Sequence, residues 1–145
     1  MSYFPLDLGD NIPGCPHFRW TEVLWLPSWG IHVFPKENEF DNLIKTTQKL
    51  ELIREIIGCP LRITSGLRPA AYNKQIGGAP FSLHQQGLAL DFAPRDPQLS
   101  ADDVRLLLVG ELESLDVRME RLPRGSHWVH IDLGESKRSG RYFYP

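Results

Sequence analysis

The sequence predicts an α+β fold: a small antiparallel sheet with helices packed on one face and a zinc-type site on the other. Two observations carry this. Segments 61–65, 88–92, 117–120 and 128–133 are short and alternate in the period-two manner of half-buried strands. Segments 41–57 and 100–115 carry helix-type spacing or start signals instead. The length of 145 residues fits one domain, 1–145, in which residues 1–19 form an extended lead-in. A chain this long buries about 70% of the surface its unfolded form exposes, so it needs no disulfide scaffold.

Pro5, Pro13 and Pro16 deny the lead-in a regular helix, and Phe4, Leu6, Leu8 and Phe18 can pin it to the body. Thr21 to Trp25 reads as a short helical turn stopped by Pro27. Residues 28–40 read as irregular, anchored by Trp29, Phe34 and Phe40. The helix expected from Asp41 to Ile57 has Asp41 as its cap, an apolar stripe through Leu43, Leu50, Ile53 and Ile57, and Gly58 as its stop. Leu61 to Ser65 is a strand ending at Gly66. Residues 67–86 form a long excursion, and loops of that length often carry function. In the strand Leu88 to Phe92, Leu88, Leu90 and Phe92 share one face, Ala89 and Asp91 the other. Ser100 and Asp103 resemble a capping box opening the helix to Leu115. Strands 117–120 and 128–133 follow, then a tail that is polar until Tyr142-Phe143-Tyr144.

The composition excludes several classes. Hydrophobic residues make up 41% and charged residues 23%, as in a globular chain rather than a disordered one. The net charge of −2 argues against a nucleic-acid partner. No aliphatic run approaches the roughly 20 residues that span a bilayer. Met1 to Asp10 lacks the basic and apolar regions of a secretory signal, so a protein made and kept in the cytoplasm until released is expected. Cys15 and Cys59 lack zinc-type spacing and read as two free thiols, with a single bridge as the alternative. The basic residues Arg118, Arg121, Arg124, Lys137, Arg138 and Arg141 read as a solvated face.

The histidines differ in their company. His17 and His32 stand alone and read as ordinary hydrogen-bonded residues. His84 lies in a loop that leads, through Gly87, to Asp91 inside an apolar strand. A buried carboxylate needs a cation, a set of donors or a metal to offset desolvation. In the last strand Val129, Ile131 and Leu133 face the core, so His130 faces away with Trp128 and Asp132. Two histidines and one carboxylate suit zinc and leave a fourth position open, which is the catalytic arrangement. The alternative is a set of polar residues hydrogen-bonded at a sheet edge.

Ser65-Gly-Leu-Arg68, Asn73, Gly77-Gly-Ala79, Ser82-x-His84-x-x-Gly87-x-Ala-x-Asp91 and Trp128-Val-His130 occur in that order. This order resembles the D-alanyl-D-alanine carboxypeptidase-type zinc peptidases. Their core is shared with the vancomycin-resistance dipeptidase and the hedgehog signalling domain. The resemblance covers roughly residues 16–133.

It implies zinc held by His84, Asp91 and His130, with Arg68 stabilising an oxyanion or substrate charge. Ser82 would hold substrate backbone or orient its loop. The proton-transfer group implied is His127, three positions before the last ligand, or Glu120 further upstream. Residues three apart in a strand face opposite ways, so His127 joins the site only if the chain bends near Gly125-Ser126. The implied reaction is hydrolysis of peptidoglycan stem peptides by zinc-activated water, as a D,D-carboxypeptidase or an endopeptidase. The alternatives are a non-catalytic zinc module, such as a phage virion component, and a cytosolic dipeptidase. A monomer is expected, released by a holin or carried in a virion.

Overall fold

The computed structural model describes residues 6–135 and 140–145. In chain order the elements are α1 (Trp20–Leu24), β1 (Trp25–Leu26), β2 (Ile31–His32), α2 (Glu37–Ile57), β3 (Leu61–Ser65), α3 (Ala70–Gln75), β4 (Ala89–Pro94), α4 (Ala101–Leu108), α5 (Leu112–Leu115), β5 (Arg118–Glu120), β6 (Val129–Asp132) and β7 (Tyr142–Phe143). Short 3₁₀ turns cover Leu83–Gln86 and Val109–Glu111.

The main sheet has the order β3-β4-β6-β5-β7. Its first four strands pair antiparallel, as expected. The fifth, β7, comes from the tail and pairs parallel with β5, so the sheet is mixed at one edge. One face carries Leu90, Phe92, Met119, Val129 and Ile131 into a core completed by Leu43, Leu50 and Ile53 of α2 and Val104 and Leu108 of α4. The lead-in is docked onto the same core through Ile12, Cys15 and Phe18.

Helix α2 begins four residues before the expected start. The cause is local: Lys36 at the N-cap donates its backbone N–H to Glu39 Oε1 at 2.8 Å, and Glu37 and Glu39 suit the positive end of the helix. Asp41 is therefore inside the helix and not its cap. The helix ends as expected at Gly58, whose φ of 78° is left-handed. The long excursion also contains structure, the one-and-a-half turns of α3, where regular structure was not expected. The 100–115 helix is broken into α4, a 3₁₀ turn and α5. Of the three expected anchors, Phe40 is buried and stacks on Trp20 at 4.5 Å. Phe34 is instead exposed; Trp29, though partly exposed, is anchored on α3 by the Tyr72 ring at 5.0 Å and by donating to Gln75 Oε1 at 2.9 Å.

Both cysteines are free. Burial pushes the Cys15 thiol up to about 12, with the Glu51 charge adding to it. Of the basic residues expected on a solvated face, Arg118, Arg121 and Arg141 are engaged. Arg118 holds Asp132, Arg121 lies over Tyr142, and Arg141 pairs with Asp116. Lys137 and Arg138 lie outside the described residues.

Candidate metal centre and active site

The sheet register builds the centre. Asp91 of β4 stands directly opposite His130 of β6, so both side chains leave the face turned away from the helices. Their atoms meet at 2.8 Å, His130 Nδ1 to Asp91 Oδ1. His84 arrives from the 3₁₀ turn and sets Nε2 3.1 Å from the same oxygen. All three residues are buried, and their donor atoms lie within 4.8 Å of one another.

The loop carrying His84 is held at several points. Ser82 caps its turn, its hydroxyl accepting the His84 backbone N–H at 3.2 Å, which makes it a loop-orienting residue. Gly87 closes the turn with φ of 74°, and a Cβ there would stand 2.9 Å from the Glu39 carbonyl oxygen. Thr46 of α2 donates to the Gly87 carbonyl at 2.9 Å, and Asn42 to that of Gln86 at 2.9 Å. His84 Nδ1 donates to the Gly66 carbonyl at 2.9 Å. That bond aims Nε2 at Asp91, the outer support typical of metal-binding histidines.

His130 is supported from the other side. Its Nε2 lies 2.9 Å from Asp132 Oδ2, and Arg118 grips Asp132 through Nε at 2.7 Å and Nη2 at 3.0 Å. The supporting role of Asp132 and Arg118 was not read from the sequence. The signal was present: His-x-Asp in a strand puts both side chains on one face. Arg118 also lies over the Phe143 ring at 4.1 Å, which ties the tail strand to the site.

The electrostatics follow from this packing. Burial opposes ionisation of Asp91, but the adjoining His84 and His130 overcome it and hold the carboxyl well below the usual range. Burial likewise opposes protonation of His130, yet hydrogen bonds to Asp132 and Asp91 raise it to about 9. Asp132 is lowered against burial by His130 and Arg118. The two carboxylates thus favour a positive charge on the imidazole between them; a metal ion at Nδ1 would replace the proton there. Zinc ligands about 2.0–2.1 Å from the ion sit about 3.3 Å apart at the tetrahedral angle. The pairs at 2.8 and 3.1 Å reach that spacing by shifts of half an ångström or less. Nitrogen and oxygen donors, burial and spacing all fit zinc.

Arg68 reaches the same centre. Its Nη2 is 3.2 Å from Asp91 Oδ2, its Nε 2.9 Å from Ser65 Oγ, and its Nη1 3.4 Å from Asn73 Oδ1. Asn73 in turn donates to the Ala79 carbonyl at 2.8 Å, and Gly78 leaves no room for a Cβ against it. The scattered motif Ser65, Arg68, Asn73 and Gly77-Gly-Ala79 is therefore one bonded unit.

The two proton-transfer candidates part company. Arg118 faces Asp132 across β5 and β6, and the same register continued sets Glu120 beside His130. Glu120 lines the cavity of about 530 Å³ that holds His84, Asp91 and His130. Burial raises its carboxyl above the ordinary value. His127 is exposed, follows the turn at Pro123 to Ser126, and lines a neighbouring cavity that contains neither His84 nor His130.

A family model described as Peptidase M15 matches residues 28–132, the stretch that runs from the β1–β2 hairpin to Asp132 and contains every residue of the centre. A search of curated proteins returns no match to the chain. With two histidines and an aspartate whose ligand atoms lie within 4.8 Å of one another, inside the matched region, the chain belongs to the Peptidase M15 family of zinc-dependent metallopeptidases.

Proposed function

We propose that the protein hydrolyses peptide bonds in peptidoglycan stem peptides. The observation that carries the reading is the shared cavity: Arg68, Glu120 and the His84–Asp91–His130 cluster all line it. The restriction to stem peptides rests on the likeness of the Ser65–Arg68, Ser82–Asp91 and Trp128–His130 motifs to wall-cutting peptidases. Zinc held by His84, Asp91 and His130 would supply Lewis acidity and a nucleophile at neutral pH. Glu120 accepts the proton of the attacking water at its carboxylate and passes it to the departing amine. Burial raises its carboxyl above the ordinary value, which makes it a better proton acceptor than an exposed carboxylate. Arg68, fixed by Ser65 and Asn73, offers a planar fork of donors to the oxyanion that forms at the scissile carbonyl. His127 lines the adjoining cavity instead, together with Arg68 and Asp91.

The experiment is digestion of purified peptidoglycan and of a defined muropeptide by the zinc-loaded protein, with products identified by mass. Cleavage by the wild type, lost in Glu120→Gln and in His84→Ala, supports the reading. A zinc-loaded wild type that releases nothing from either substrate refutes it and leaves a zinc-containing binding module in its place.

A further inference from the structure

The cavity holding the metal cluster is one of two that meet at the site. A second, of about 360 Å³, shares Arg68, Asp91 and Trp128 with it and runs along β3 on the other side. Together they form a cleft that continues past the cluster in both directions. The two arms differ in charge. The metal-side arm carries Glu120 and Asp132 besides Asp91. In the other arm Asp91 is the sole acid, and it is already bonded by Arg68, His84 and His130. Against it stand Arg62 and His127, which also border an adjoining cavity whose one acid, Asp102, is paired with Arg105.

Arg62 is placed there by register. It pairs with Ala93, two residues along β4 from Asp91, and so leaves the same face as the ligand. Ala93 is too short to fill the space beside it. Two strand residues span about 6.6 Å, the reach of two residues of an extended substrate. The strand thus roots Arg62 about that far along the sheet from the ligand Asp91.

We infer that the Arg62–His127 arm is a subsite for a carboxylate of the substrate, so that the peptide cut is acidic within about two residues of the scissile bond. This rests on the peptidase reading above and adds the substrate chemistry it lacks. A forked guanidinium and an imidazole N–H pair with a carboxylate by charge-assisted hydrogen bonds. The carboxylate belongs either to a branch of the peptide, as in an endopeptidase substrate, or to its C-terminus, as in a carboxypeptidase substrate.

The test uses the zinc-loaded full chain and three versions of one stem pentapeptide: free, amidated at its branch carboxylate, and amidated at its C-terminus. One amidation is expected to lower kcat/KM about tenfold, the equivalent of about 1.4 kcal/mol. Arg62→Ala should abolish the discrimination between that amide and the parent, and Arg62→Lys should restore part of it. Discrimination at the branch identifies an endopeptidase subsite, and at the terminus a carboxypeptidase subsite. A wild type indifferent to both amidations overturns the inference, as does an Arg62→Ala that slows all three peptides equally. If no peptide is cut, the peptidase reading fails instead. Calorimetric binding of the same peptides to Glu120→Gln then decides the subsite by the same comparison.

Discussion

Asp132 shows how much of the centre rests on a residue outside the metal-ligand group. It fixes the His130 ring from behind and is itself gripped by Arg118. Asp132→Asn is expected to keep one zinc per chain but weaken its affinity about 10–100-fold, as loss of such outer partners does. A competition titration with a chelating dye measures this. Glu120 sets chemistry against stability. Its folded pKa lies above the unfolded one because burial penalises the charge. The sign follows: the folded state favours the protonated form, so stability falls as pH rises through the unfolded value. Glu120→Gln should therefore raise the melting temperature of the metal-free protein at pH 7, with the gain fading toward pH 4. The same change should cost about 10²–10⁴ in kcat, the typical contribution of general acid–base catalysis.

At the scale of elements, the 3₁₀ turn bearing His84 is held by a helix far away in sequence. Helix α2 supplies Thr46 and Asn42 to the turn's carbonyls and crowds Gly87. Gly87→Ala combines a left-handed residue, costing about 1–2 kcal/mol, with a Cβ against the Glu39 carbonyl. The expected outcome is a lower melting temperature and weaker zinc binding together, since the turn and His84 move as one. Unchanged zinc affinity in a destabilised Gly87→Ala would mean that the turn is not what positions the ligand. The strand pair β4–β6 behaves differently. Its register puts Asp91 opposite His130 through backbone hydrogen bonds, independent of the loop.

For the whole molecule, metal and fold are coupled. The ligands come from the 3₁₀ turn and two strands, and the unfolded chain cannot hold them together. Zinc at 100 times its Kd should stabilise the fold by about 2.7 kcal/mol. Thermal unfolding with and without a chelator checks this, and His84→Ala should remove most of the difference.

The α+β class, the strands at 61–65 and 88–92, and the triad His84, Asp91 and His130 were legible in the sequence. These rest on local patterns: a period of two, a glycine turn, a carboxylate in an apolar strand. The start of α2 was missed because Lys36 and Glu39 form a weaker local signal than Asp41, although they outcompete it. The placement of Glu120 and His127 was beyond the sequence, which counts residues along the chain and not across it. Only strand pairing sets Glu120 on the face of His130, and only the turn at Pro123 to Ser126 carries His127 to the neighbouring cavity. The parallel strand β7 was likewise decided in three dimensions, since Tyr142 and Phe143 have no strand pattern of their own until β5 offers an edge. Local chemistry determines which residues can bind a metal; the register between distant strands decides which others face it.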